Sequence, residues 1–279
     1  MDLTTVTAVR QPRSRADLRL GEREAFLGGG SWLFSEPQLE LDGLVDLTTL
    51  GWQPITVTAG CGLSIAATCT FTELAALEAR ADWTAHPLLA QCCSALLGSF
   101  KVWNTATVGG NICLALPAGP MTSLTSALDA DALIWTPDGG ERRMPVLELV
   151  VGDQSTALEH GELLRSVEIP ASSLRARVGM RKIALSPLGR SGTIVIARVD
   201  EGGEFVATVS AGTERPVQLR FDAIPTADDL ADGIGAIDCW YDDAHGAPDW
   251  RRAMSILFAG QLRDELAAPA DDGTGVETE

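Results

Sequence analysis

Asn104-Thr105-Ala106-Thr107-Val108-Gly109-Gly110-Asn111-Ile112-Cys113 runs on into Leu114-Ala115-Leu116-Pro117-Ala118-Gly119-Pro120-Met121, and its centre, Thr107-Val108-Gly109-Gly110-Asn111, decides how this chain is read. A second glycine cluster, Gly28-Gly29-Gly30-Ser31, lies upstream. Each cluster adjoins a β-type run, and together they read as two halves of a phosphate cradle. Glycine lets backbone N–H groups turn toward an anion with no Cβ in the way. Thr107, Asn111 and Ser31 add side-chain hydrogen-bond partners. Neither 28–31 nor 107–111 contains Lys or Arg. An anionic ligand there would be held by backbone dipoles and neutral side chains.

Around this pair the chain has 279 residues, 46% of them hydrophobic, enough for a substantial core and two domains. The net charge of −17 argues against a nucleic-acid partner and against an anionic membrane surface. No run approaches the ~18 apolar residues of a membrane-spanning helix. The stretch Met1–Leu20 is polar and charged and lacks the apolar centre of a signal peptide, so a cytoplasmic protein is expected. Six cysteines, Cys61, Cys69, Cys92, Cys93, Cys113 and Cys239, include no Cys-x-x-Cys pair. They are expected as small apolar core residues rather than iron–sulfur ligands.

Strands are expected within 25–34, at Leu44–Leu47, Ile55–Ala59 and Leu63–Ala67, with a turn at Gly60–Gly62. A helix is expected from Thr72, as N-cap, to about Ala81, and another over 87–99 with Pro87 in its first turn. The stretch 107–111 is read as a glycine loop, Met121–Leu128 as a helix, and Ala132–Trp135 as a strand before the turn Pro137-Asp138-Gly139-Gly140. Pro145–Leu149 suits a short helical turn, and Leu164–Ile169 alternates like a strand. A domain boundary is placed after Pro170. Beyond it, 178–184, 192–199 and 204–211 read as strands, and 226–236 and 249–266 as helices. Residues 267–279 are acidic and rich in Gly and Pro, and a disordered tail is expected there.

Several chemistries are excluded by residue type and spacing. Leu33 stands where a dinucleotide fingerprint starting at Gly28-x-Gly30 needs its third glycine, so this is not a Rossmann motif. There is no Gly-Lys-Ser/Thr for a P-loop. His86, His160 and His245 are too far apart to signal a zinc triad or a nucleophile relay, and are expected at the surface or at caps. Ser186 and Ser191 lack the Gly-x-Ser-x-Gly context. No catalytic constellation and no metal site is expected in this chain. Most of the seven tryptophans are expected in or near the core, some as interface anchors.

The order of the motifs carries a resemblance. Gly28-Gly29-Gly30-Ser31, Leu44-Val45-Asp46-Leu47, Leu63 through Leu74, Thr107-Val108-Gly109-Gly110-Asn111 and Leu163 through Pro170 follow one another as in the FAD-binding subunits of molybdopterin hydroxylases. That family includes the carbon monoxide dehydrogenase medium subunit and the xanthine dehydrogenase flavin domain. The resemblance covers about residues 20–266. It implies an α+β fold with α/β subdomains: a vanillyl-alcohol-oxidase-like FAD-binding domain over 1–170, in two subdomains, then a smaller α+β C-terminal domain over 171–266.

Carried over by position, the resemblance sets Leu27, Gly28, Gly29, Gly30, Ser31, Trp32 and Leu33 against the FAD diphosphate. Thr107 and Asn111 match binding positions, with backbone N–H groups from Gly109 and Gly110. Leu164 matches a position near the flavin ring, and Arg181 or Lys182 a basic residue close to it, where the charge would favour the reduced anionic ring. The chain departs from the family at Gly30, often Gln, His or Asn; at Trp103, often Arg; at Pro120, commonly Asp; and in having Trp32 inside the first loop. No histidine lies in either glycine cluster, so noncovalent FAD is expected, with Cys113 buried.

The resemblance implies an oxidoreductase component that does not bind the substrate itself. A large partner subunit would carry the molybdenum cofactor and a small one two [2Fe–2S] clusters, in a dimer of heterotrimers. Electrons would pass from those clusters to FAD and on to NAD⁺, oxygen, a quinone or another acceptor. Two other readings are a stand-alone FAD oxidase of the vanillyl-alcohol type and a flavin-free assembly partner. The first needs an active-site base and a larger substrate domain; the second draws only on Pro120 and Trp32.

Overall fold

The computed structural model describes residues 3–58, 60 and 62–268. Short apolar segments form three parallel strands near the N-terminus: β1 (Ala8–Arg10), β2 (Glu24–Leu27) and β3 (Gly43–Asp46), in the order β1-β3-β2. The central strand β3 is buried through Gly43, Leu44 and Val45, while β2 leads straight into the first glycine cluster.

An antiparallel five-stranded sheet follows. It contains β4 (Ile55–Thr58), β5 (Gly62–Ala66), β6 (Asp131–Trp135) and β7 (Glu141–Pro145). A small hairpin, β8 (Val150–Gly152) with β9 (Ser155–Thr156), precedes the middle strand β10 (Leu163–Pro170), and the order is β4-β5-β10-β6-β7. Helices α1 (Phe71–Ala75), α2 (His86–Ser94), α3 (Phe100–Trp103), α4 (Val108–Leu114) and α5 (Pro120–Ala127) form a layer beside it, in which α4 packs on β5 and β10 and α2 and α5 pack on each other. Leu63, Ile65, Val167 and Ile169 of the sheet share one core with Leu88, Leu89, Ile112 and Leu124 of the helices. The turns α6 (Val146–Leu149) and α7 (Ala171–Arg175) close the unit.

Strand pairing changes sheets between Pro170 and Arg177. A four-stranded antiparallel meander, β11 (Arg177–Ile183), β12 (Thr193–Val199), β13 (Phe205–Ser210) and β14 (Val217–Phe221), is backed by α8 (Ala227–Gly235) and α9 (Pro248–Ala267). Every residue of β12 is buried, and its apolar run Ile194–Ala197 is that of a strand covered on both faces. Val195 and Ala197 face Leu230, Ile234 and Leu262, while Ile194 and Ile196 join the first core. The seam is polar where it must be. The fully buried Arg198 guanidinium donates to the Ala127 carbonyl and pairs with Asp129 and Asp200, and the Ser210 hydroxyl donates to Ser123 Oγ at 2.7 Å.

Four expectations change. The helix expected over 72–81 is a single turn, Phe71–Ala75, capped by Thr70 through a reciprocal box with Glu73. Within it only Phe71 and Leu74 are buried, too few anchors for a longer helix, since short helices depend on the face they bury. The glycine stretch at 107–111 is not a loop: Thr107 caps α4, and Val108–Asn111 are its first turn. Val217-Gln218-Leu219-Arg220-Phe221, assigned no element from sequence, is β14; its strict alternation is the period-two signal. Cys113, expected to be buried, is exposed.

Cys69, Cys92 and Cys93 are buried as expected, and Cys61 lies outside the described residues. Of the expected tail, residue 267 closes α9 and 269–279 lie outside the described residues. No helix among the described residues is long and apolar enough to cross a membrane.

Candidate functional site

The two glycine clusters meet. A Cβ at Gly28 would stand 2.8 Å from Thr107 Oγ1, and one at Gly29 would overlap the Thr105 carbonyl group and lie 3.2 Å from the Ala106 nitrogen. The side-chain space is thus taken by the Thr107 side chain at Gly28 and by backbone at Gly29. Gly30 has φ +69°, the left-handed region that glycine enters at little cost. Its carbonyl accepts from the Phe34 amide at 2.9 Å, turning the chain back on itself.

Beside this contact lies a cleft of about 940 Å³, toward the upper end of the range of roughly 300–1,000 Å³ typical of small-molecule sites. Leu27 through Leu33, with Ser35 to Gln38, form one wall; Thr107, Gly110, Asn111 and Cys113 come from the cap and first turns of α4. Leu96, Leu97, Val102, Leu114 and Leu116 give an apolar lining, and Arg190 and Ser191 arrive from the β11–β12 turn. Among the described residues that line it, Glu36 and Arg190 are the only charged ones.

The distribution of donors differs from a simple helix-terminus site. The Val108 amide donates to Cys69 O at 2.8 Å, Gly109 to Ala67 O at 2.9 Å, and Gly110 to Thr107 Oγ1 at 3.1 Å. The first-turn amides of α4 are thus consumed inside the protein. The first loop is the reverse case: among the described residues, the amides of Gly29, Gly30, Ser31, Trp32 and Leu33 donate to no acceptor. Consecutive unpaired N–H groups around a glycine turn make an anion-binding concavity. That observation fits a diphosphate, held without a single cation from the loop itself.

Asn111 links the site to the next helix. Its Oδ1 accepts the Met121 amide at 2.9 Å, tying α4 to the start of α5. Pro120 occupies the first turn of α5, where its missing N–H removes no bond.

The sequence-derived site residues therefore divide. Leu27, Gly28, Gly29, Gly30, Ser31, Trp32, Leu33, Thr107, Gly110 and Asn111 all line one cleft. Gly109 packs on Ala67 instead, where a Cβ would meet backbone at 2.7 Å. Leu164 is buried in the core, and Arg181 pairs with Glu265 at 2.5 Å on the C-terminal unit. Lys182 is exposed, and neither it nor Arg181 lines the cleft. Arg190, Ser191 and Gln154 were not anticipated as lining residues; nothing local in the sequence marks them. Among the described residues no group of three or more His, Cys, Asp or Glu is placed to hold a metal.

Comparison with known proteins gives a consistent picture. Residues 15–172 match the family model described as the FAD binding domain in molybdopterin dehydrogenase. The chain is 27% identical over 184 residues to the putative xanthine dehydrogenase FAD-binding subunit of Escherichia coli K12, covering 63% of this chain and 61% of that protein. It is 27% identical over 178 residues to the glyceraldehyde dehydrogenase medium chain of Sulfolobus acidocaldarius, covering 62% and 59%. The matched stretch thus spans about three fifths of each relative's length. A chain of the carbon monoxide dehydrogenase from Hydrogenophaga pseudoflava superimposes with a TM-score of 0.80 at 18% identity, over 93% of this chain and 96% of that one, and so has the same fold.

Proposed function

The chain belongs to the family of FAD-binding domains of molybdopterin dehydrogenases, and from that premise we propose that it is the FAD-binding, electron-transfer subunit of a molybdenum-containing hydroxylase. It takes electrons from [2Fe–2S] clusters of a small partner and delivers them to an external acceptor, while a large molybdopterin-bearing partner oxidises the substrate. The supporting observation is the run of five unpaired amides, Gly29 to Leu33, in residues that line a cleft large enough for a dinucleotide.

FAD supplies the redox chemistry; the protein supplies binding, orientation and electrostatics. The amides of 29–33 would hold the diphosphate. Asn111, its oxygen committed to α5, has its amide nitrogen left for the ligand. Leu96, Leu97, Val102 and Leu114 would cover apolar parts of the cofactor and exclude water. Among the described residues that line it, the cleft has no histidine and no paired carboxylates to act as acid and base, which suits an electron carrier better than a stand-alone oxidase.

The proposal includes a division after Pro170, an assembly of two heterotrimers, and a cytoplasmic location. It is tested by the visible spectrum of the chain purified with its partners, repeated on the supernatant after acid precipitation. A flavin band that moves to the supernatant, with iron–sulfur absorption beforehand, is the expected result. A folded, partner-bound sample without flavin refutes the assignment. Turnover of a substrate by the isolated chain refutes the subunit role.

A further inference from the structure

Arg190 and Ser191 reach the cleft from outside the 15–172 segment that defines the family match. Ser191 is only 2% exposed, yet its Oγ has no hydrogen-bond partner among the described residues. Buried hydroxyls are rarely left so. Arg190 forms no ion pair or hydrogen bond among the described residues, in a chain whose net charge is −17. Its charge is felt by the Tyr241 phenol, which itself donates to Asp153 Oδ2 at 2.9 Å.

The turn that carries the pair is held from beneath. The Gly192 amide donates to Ile183 O at 2.8 Å, and the Gly192 carbonyl accepts from Arg251 Nη1 at 2.6 Å. Arg251 is fully buried and also donates to Ala211 O at 2.7 Å and Gly246 O at 2.8 Å, with Asp243 as its counter-ion. One residue further on, Thr193 Oγ1 and Ser255 Oγ lie 2.8 Å apart. Two unused polar side chains thus stand on a preorganised support at the wall of the cleft.

We propose that Arg190 and Ser191 contact the isoalloxazine ring of bound FAD, and that Arg190 sets its reduction potential. This rests on the reading that the cleft binds FAD. The free amides of the glycine loop already provide for the diphosphate, and adenine is neutral. Arg190 places its charge where uptake of two electrons and one proton leaves the ring anionic. Ser191 hydrogen-bonds to the polar edge of the ring in either oxidation state. Arg181, which the resemblance set beside the flavin, is neutralised by Glu265 away from the cleft.

The test is a redox titration of the 279-residue chain loaded with FAD, alongside the Kd for oxidised FAD from flavin fluorescence. Arg190→Gln is expected to weaken the preference for reduced over oxidised FAD about tenfold, a fall in potential of about 30 mV for a two-electron couple. Arg190→Lys restores most of it, and Arg181→Ala does not move it. Ser191→Ala weakens FAD binding in both oxidation states, with the potential unchanged. If Arg190→Gln weakens both oxidation states equally, the residue serves the diphosphate or adenosine and the proposal falls. A larger shift from Arg181→Ala than from Arg190→Gln also overturns it. Wild-type protein that folds but takes up no FAD refutes the cofactor assignment itself, and is read from the fluorescence before any variant is made.

Discussion

Replacing Gly29 by Ala adds one methyl group at the point where the two glycine clusters touch. That carbon overlaps the Thr105 carbonyl and comes within 3.2 Å of the Ala106 nitrogen, whereas ordinary van der Waals contact needs 3.4–4 Å. Both neighbours are backbone, so no flexible side chain can yield. The loop must retreat from residues 105–107, and Gly28 loses its packing on Thr107. Overpacking of this kind costs typically about 1–3 kcal/mol. If the retreat falls wholly on the ligand-binding loop conformation, FAD affinity drops about 5–150-fold. Isothermal titration of FAD into the apo chain measures this, and thermal melts report how much of the strain is borne by the fold. Gly235→Ala is the comparator: it closes α8, a Cβ there meets nothing within 4 Å and φ is not positive, so affinity should stay at wild type and the melt should not fall. A Gly29→Ala variant with wild-type affinity and stability would refute the claim that the clusters are in backbone contact.

Other consequences are independent of this one. Arg198→Met removes the buried guanidinium shared by Ala127, Asp129 and Asp200; breaking such a pair costs about 3–5 kcal/mol, so Tm should fall on the order of 10 °C, and a shift near zero in a thermal melt would contradict the polar seam. Hydrogen bonds from Arg10 and the Gly21 amide hold the Glu24 carboxyl at about 2, below its ordinary 4.5. Because this pKa is depressed, the stabilisation is complete above pH 4.5 and disappears as pH falls through 2. Arg10 is 38% exposed, so solvent screening limits the effect to about 1 kcal/mol, and Glu24→Gln should flatten the wild-type loss over that window in acid denaturation curves. Cys113 is exposed on the cleft wall, but desolvation pushes its thiol up to about 12, so in the native protein a disulfide reagent should label it far more slowly than a free cysteine, and FAD should slow it further. Burial pushes the Cys69 and Cys93 thiols up to about 12, leaving roughly one in 10,000 ionised at pH 8, so mass mapping should find both unlabelled until the chain unfolds.

Local pattern made much of this molecule legible. Ile55–Thr58, Gly62–Ala66 and Leu163–Pro170 fall where alternation placed strands, and Pro120–Ala127 and Pro248–Ala267 where apolar spacing placed helices. Ten of the sequence-derived site residues, Leu27–Leu33 with Thr107, Gly110 and Asn111, line a single cleft. The clusters were readable because glycine carries its own reason: it marks backbone that must turn or come close. The helix expected over 72–81 shows the limit, since its length was settled by how much of it a neighbouring surface could cover.

Local residue pattern thus carries the period of most elements and the two places where backbone has to be bare. Both follow from interactions within a few residues. Which amides remain free is set by packing between distant segments. Ala67 and Cys69 take up the α4 donors that the motif offered, while the Gly29–Leu33 donors go unused. Packing also decides which cation meets the cleft: Arg190 rather than Arg181, because strand register carries one to the turn and the other to Glu265. Such choices depend on contacts between segments some 40 to 160 residues apart, and no local period records them.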